Sequence, residues 1–491
     1  MRPFWLVTIG LRGYDDRMRE LFKTCGMQAT LVFIAALLVI ALQMAFQEKE
    51  IPYADNITYM AVALPLYETG IYEDGNFKNT VLPPGPNGEG MFFAPLYPAF
   101  LAGVMHFSEG LREAARCSIE LVKPPLIEEQ CALDFRILWG AQALLGALSA
   151  LFIWLAALAL FNDKRLAWLS AFLVVTLNNF AYYAGVVMAE ALIMPLFYMA
   201  CYGIILCWQK QSRGAALLTG LSFGALILTK PSFAYLAYFL ATGFGGLGLY
   251  TLVKYKKTRA LQCVFLAVAG AVLLTAPWIM RNHLKLDHAA VTFGYGPFTL
   301  SQRVAYNDMT MEEWLVSWIY GIPGEGDSIA EKLFRKESYE RWSWGDPNGF
   351  YRQGNDVLRA RTLEEAGGHD AHLSYLLKNY VIADLPKHIA TTFPIIFRGM
   401  WVFELWVFIP YIAFIVLCLN GLKTRRYDYI LYALAPWFML GLHGFATVNI
   451  ARYNIIMQGS LGIALAWGII RLWERYRSKK TPAAGLSPVT G

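Results

Sequence analysis

The charges of this chain are distributed so unevenly among its apolar runs that they restrict both its fold class and its orientation. Of 36 carboxylates, 28 fall within 48–134 and 282–384, and those two stretches hold only 15 of the 42 Lys and Arg residues. The rest is long apolar segments joined by short basic loops. Basic loops stay on the cytoplasmic side of a membrane, so the pattern predicts an oriented polytopic membrane protein.

A chain of 491 residues with 57% apolar and 16% charged residues does not suit a soluble enzyme. Runs of 18 or more mostly apolar residues recur, each able to cross a hydrocarbon core of about 30 Å as a helix. The spacing predicts about ten spans, over 27–46, 136–160, 166–184, 186–208, 214–229, 232–252, 260–280, 400–420, 428–446 and 452–473. Basic residues precede the first (Arg2, Arg12, Arg17, Arg19, Lys23) without a small-residue cleavage site, which reads as an uncleaved anchor.

With the amino terminus inside, ten spans leave 21 of the 42 basic residues in cytoplasmic segments and put both acidic loops outside. The net charge of +6 then reports topology, and no nucleic-acid partner is implied. The short run 92–107 would invert every later loop if it crossed, so it is expected to be an external, interfacial or re-entrant helix. Cys117 and Cys131 then share an external loop and are expected to form a disulfide. The expected units are a transmembrane module over 1–281, whose loop 48–134 carries the catalytic region, an external subdomain over 282–398, helices over 399–473 and a cytoplasmic tail over 474–491.

Six bases lie in neither the cytoplasmic segments nor the acidic loops: Arg136, Lys230, Arg281, Lys387, Arg398 and Arg452. All sit near predicted outer ends of spans, where orientation gives no reason for a cation and burial is costly without a partner. Grouped at one face, they suit a phosphate held at headgroup level, Arg offering bidentate contacts. Singly, each could equally snorkel to lipid headgroups or pair with Glu190 or Asp55. Asp55, one helical turn from Tyr59, and Glu190 are the two carboxylates placed to take a proton from an acceptor. Their alternatives are a helix cap or a simple ion pair.

The external aromatics Trp314, Trp318, Tyr320, Trp342, Trp344, Phe350 and Tyr351 suit either a sugar surface or an anchor and core. Seven histidines show no zinc spacing, and the sequence has no Walker loop, no GxGxxG after a strand and no GxSxG.

In order along the chain stand ADNITYMAVALPLYETGIY, FFAPLYPAFLAGV, FRILWGAQALLGALSALFIWL, MAEALIMPLFY, LLTGLSFGALILTKPSFAYL, APWIMRNH and RYNIIMQGSLGIALAWG. Together they resemble the integral-membrane GT-C glycosyltransferases, notably bacterial relatives of protein O-mannosyltransferases and of lipid A aminoarabinose transferases. The resemblance implies an all-α polytopic fold with two large external loops. It also implies inverting transfer of a sugar from a polyprenyl-phosphate donor to an envelope acceptor, at the periplasmic face of the inner membrane. Asp55 matches the family's catalytic base. Arg136 matches a donor-phosphate contact, and Arg281, Arg452 and Tyr453 fall on further motifs, with Tyr59, Glu190 and Lys230 as companion substrate contacts. The family's Asp-Glu pair reads Asp55-Asn56 here, and a lysine frequent before its Pro-Leu motif is Ala94. Glu190 is also where a divalent cation would bind if the reaction uses one. A carrier or flippase for lipid-linked saccharides is the alternative, with a non-catalytic assembly subunit the third reading.

Overall fold

The computed structural model describes residues 15–47, 50–74, 90–176 and 180–480, and among them the chain is helical throughout. The amino-terminal module comprises α1 (Asp15–Phe46), α2 (Asp55–Thr69), α3 (Leu96–Met105), α4 (Glu109–Leu121), α5 (Pro124–Gln130) and α6 (Arg136–Phe161). It continues through α7 (Lys164–Thr176), α8 (Phe180–Gly185), α9 (Glu190–Lys210), α10 (Arg213–Thr229), α11 (Phe233–Tyr255) and α12 (Arg259–Leu286). Short helices follow: α13 (Tyr295–Val304), α14 (Met311–Tyr320), α15 (Gly326–Leu333), α16 (Lys336–Glu340), α17 (Phe350–Arg352), α18 (Arg359–Glu365) and α19 (His369–Leu376). Then come α20 (Leu385–Gly399), α21 (Phe408–Thr424), α22 (Tyr427–Ala446) and α23 (Met457–Lys480).

Among the described residues, six helices are long and apolar enough to cross a membrane, and α10 and α21 are shorter apolar helices. The chain is an all-α polytopic membrane protein. In the run 166–184 the described residues are those of α7 and α8, and 177–179 lie outside the described residues. Two expected boundaries move, because α12 continues past 281 to Leu286 and α23 continues past 473 to Lys480. The segment 92–107 holds only the ten-residue α3, about 15 Å long and too short to cross.

Lipid-facing and inward-facing stripes separate cleanly on α1. Val32, Ala36 and Ile40, four residues apart, are buried, whereas Leu31, Ile34, Leu38 and Leu42 are exposed. Ile40 reaches α6 where Gly146 leaves room, since a Cβ there would stand 3.0 Å from its terminal methyl. Between α10 and α12 the backbones touch through Gly220 and Gly224. A Cβ on Gly220 would collide with the Ala267 carbonyl, and one on Gly224 would lie 2.8 Å from the Ala271 carbonyl. Small residues four apart are how membrane helices gain close packing where hydrophobic exclusion no longer distinguishes protein from lipid.

The short helices after α12 share a buried cluster with Ile395 and Val448. Tyr306, Val316, Trp342 and Phe350 are buried together, so Trp342 and Phe350 take the core role among the aromatics. Arg303, fully buried, ties α13 to α22 and α20 by donating to the Gly444 and His388 carbonyls at 2.8 and 3.0 Å. Its burial pushes its pKa down to about 9. Cys117 and Cys131 are joined as a disulfide between α4 and the end of α5.

Candidate active site

Two carboxylates that open helices meet one arginine. Asp55 is the first residue of α2 and Glu190 the first of α9, positions where the helix dipole favours negative charge. Arg452, which belongs to a short 3-10 turn over Ala451–Asn454, lies between them. Its Nη2 donates to Asp55 Oδ2 at 2.6 Å, and its Nε lies 3.4 Å from Glu190 Oε1. Asp55 and Arg452 are 397 residues apart in sequence, so the fold itself makes this pair.

Local structure fixes each member. Ala54 immediately before Asp55 has φ 44°, a left-handed value costly for a residue with a Cβ, which sets the angle at which α2 starts. The Arg452 turn is riveted by Asn454, whose Nδ2 donates to the Gly399 carbonyl at 3.1 Å, and by Asn449, whose Nδ2 donates to the Ile395 carbonyl at 3.0 Å. Gly399 is required there, because any Cβ would strike the Asn449 amide. Glu190 is held from behind: Gln142 Nε2 in α6 donates to the Ala184 and Val186 carbonyls at 3.0 and 2.8 Å, just before α9. The Tyr97 hydroxyl donates to Gln142 Oε1 at 2.8 Å, and the Tyr59 ring stands edge-on to Tyr97 at 4.9 Å. Tyr59 thus reaches the site as the end of a strut that runs through α3 and α6.

Lys230, in the turn between α10 and α11, places its ammonium 4.2 Å from the Tyr453 ring centre, an arrangement that suits a desolvated cation. Burial lowers its pKa to about 8 against the opposing pull of Glu190. For Arg452 burial also opposes the charge, but Glu190 and then Asp55 outweigh it and push its pKa up. Tyr295 of α13 and Tyr351 of α17 share this neighbourhood. Burial raises both phenols, and the Asp55 charge adds to the effect.

The structure therefore brings together Asp55, Tyr59, Glu190, Lys230, Arg452 and Tyr453, and shows Arg136 and Arg281 in other contacts. Arg136 folds back on Asp134 two residues earlier, Nη2 to Oδ2 at 2.7 Å, with its side chain 82% exposed. Arg281 donates instead to the Gly90 and Tyr72 carbonyls at 2.7 and 3.2 Å and lies over Trp278. These contacts lie beside Asp74, which accepts from the Met91 and Phe92 amides. Arg398 lies over Trp344 at 4.6 Å. Beside the Glu190 carboxylate, where a divalent cation was expected if the reaction uses one, stands the Arg452 guanidinium, its Nε 3.4 Å from Oε1. Among the described residues no cluster of three His, Cys, Asp or Glu side chains supplies ligands.

Sequence inspection did not single out Tyr97, Gln142 or Tyr295. Gln142 alone left a signal, as a lone amide inside the apolar run 136–160.

Residues 134–280 match the family model for dolichyl-phosphate-mannose-protein mannosyltransferases. The match includes Arg136, Glu190 and Lys230 and excludes Asp55 and Arg452. No curated protein matches the chain significantly. Among solved structures the chain is similar to ArnT from Cupriavidus metallidurans bound to undecaprenyl phosphate, at 14% identity, TM-score 0.33, over 92% of this chain and 81% of that one. The same protein in its apo state matches at 12% identity, TM-score 0.35, over 94% and 82%. The resemblance to membrane GT-C glycosyltransferases is thus supported over α6 to α12 by the family model.

Proposed function

We propose that this chain is a polyprenyl-phosphate-sugar-dependent glycosyltransferase acting at the outer face of a bacterial inner membrane, with Asp55 as general base. The observation that carries the reading is the Asp55–Arg452–Glu190 triad beside Lys230. It places a carboxylate that can take a proton next to cations that can receive a phosphate, all at helix ends.

The donor phosphate engages Lys230 and the face of Arg452 turned away from the carboxylates. The acceptor hydroxyl or amine attacks the anomeric carbon from the side opposite the phosphate, and its proton passes to the Asp55 carboxylate. The bond between the anomeric carbon and the phosphate oxygen breaks, and the electron pair leaves with polyprenyl phosphate. The added negative charge falls on Lys230 and Arg452, so these cations stabilise the transition state more than the ground state. One displacement gives inversion. Arg452 also prevents Asp55 from turning away from the acceptor, and Glu190 holds Arg452 in place. Support for a sugar-phosphate lipid donor comes from the family match over α6 to α12 and from the resemblance of the motifs that carry Asp55 and Arg452.

The test is acceptor-dependent release of polyprenyl phosphate by purified protein in nanodiscs, supplied with a panel of polyprenyl-phosphate sugars and envelope extract. Sugar transfer from one of them is expected. Translocation of a fluorescent lipid-linked sugar without bond cleavage would overturn the enzyme reading in favour of a carrier.

A further inference from the structure

A second site lies at the opposite end of the helices. Between α9, α10, α11, α12 and α22 a cleft encloses a volume of about 1010 Å³. Its lining runs from Ile227, one turn from Lys230, down to Tyr255 and Tyr427, at the end where α9 and α11 stop and α10, α12 and α22 begin. The half nearest that end is walled by Trp208, Phe223, Phe244, Leu247 and Val264. At the mouth the chemistry changes to Gln209, Gln211, Arg425, Arg426 and Asp428.

The charges at the mouth are unequally satisfied. Arg426 is tied to Asp428 at 2.8 Å and to the Leu160 carbonyl at 2.6 Å. Asp428 also accepts from Gln209 Nε2 at 3.0 Å, so the one carboxylate of the mouth is fully engaged. Arg425 is exposed, has φ 58° at the carboxyl cap of α21, and pairs with no carboxylate among the described residues. Lys256 and Lys257, directly after the lining residue Tyr255, are likewise exposed and make no ion pair among the described residues. An apolar cleft with one unmatched cation in its lining and two more directly after the lining residue Tyr255 complements an amphiphile with a hydrocarbon body and an anionic head. A prenyl chain descending from the outer site would bring only hydrocarbon to these cations.

We propose that the cytoplasmic end of this cleft binds one anionic phospholipid of the inner leaflet. Its phosphate sits among Arg425, Lys256 and Lys257, and its acyl chains lie along α10, α11 and α12. The lipid fills the gap between α11 and the bundle, so it is a structural partner of the helices that carry Lys230.

The experiment is native mass spectrometry and thermal unfolding of the full chain, delipidated in detergent and titrated with phosphatidylglycerol or phosphatidylcholine. Phosphatidylglycerol is expected to be retained at one copy and to raise the apparent Tm, and phosphatidylcholine to do neither. Each of Arg425→Ala and Lys256→Ala should weaken phosphatidylglycerol retention about fivefold, the equivalent of roughly 1 kcal/mol per basic residue near an anionic leaflet. Val264→Trp, which fills the cleft and keeps every charge, should abolish retention. Equal retention of both lipids, retention unaffected by Val264→Trp, or a polyprenyl phosphate as the bound species protected by Arg425 would overturn the proposal.

Discussion

Replacing Arg452 by Met removes the cation from between two carboxylates of very different exposure, and the structure sets the size of the effect. The Glu190 side chain is 7% exposed and the Asp55 side chain 50%. The half-exposed Asp55 pair is screened by solvent and contributes at most about 1 kcal/mol. Glu190 has no such relief: stripped of its partner it is a buried charge, and breaking such a pair costs about 3–5 kcal/mol. Arg452→Met should therefore destabilise the protein by about 4 kcal/mol, nearly all of it through Glu190. Adding Glu190→Gln should restore most of that stability, because the amide needs no counterion, while transfer stays lost. Glu190→Gln alone should cost less than Arg452→Met. The assay is thermal unfolding of the purified single and double variants in one detergent, with transfer measured in parallel. A double variant as unstable as Arg452→Met would refute the reasoning, since the penalty would then not reside in the orphaned Glu190.

Four further outcomes follow from the same geometry. Lys230 has its pKa lowered to about 8, so its cation is present below that pH and lost above it. Donor use should fall as pH rises through about 8, and Lys230→Arg, charged at every accessible pH, should carry activity further into the alkaline range. Arg136→Gln should leave donor use unchanged, because its guanidinium is spent on Asp134 at the surface; a large rise in donor KM would contradict the placement. Replacing Cys117 and Cys131 with Ser opens a cross-link spanning 14 positions and should lower stability by about 3 kcal/mol in the chain-entropy model, read from unfolding curves. Gln142→Leu removes the strut behind Glu190 and should lower the turnover rate while leaving the helix content by circular dichroism intact.

Much of the architecture was readable because membrane folding depends on two quantities a sequence displays directly, the length of apolar runs and the side on which cations gather. That logic also separates the short α3 from the spans. In the site, Asp55, Glu190, Lys230 and Arg452 stand out as charges that orientation leaves unexplained. Arg136 stood out for the same reason, and its exposed pairing with Asp134 two residues away is equally sufficient to explain it. Arg281 shows the harder case. Two of its partners are the main-chain carbonyls of Tyr72 and Gly90, and a carbonyl acceptor leaves no trace in residue identity. Tyr295 and Tyr97 are ordinary aromatic residues in sequence, and only tertiary packing sets one beside Asp55 and the other on Gln142.

The central claim, that Asp55 takes the acceptor's proton, is tested most directly by single-turnover transfer with purified Asp55→Asn protein loaded with its donor. Asparagine keeps the size and can still accept from Arg452, so the donor should bind with near-parental affinity and the fold should be retained. Transfer should slow by about 10²–10⁴-fold, the usual consequence of losing a general base. Transfer at the parental rate would contradict the account and leave Asp55 as no more than the exposed partner of Arg452.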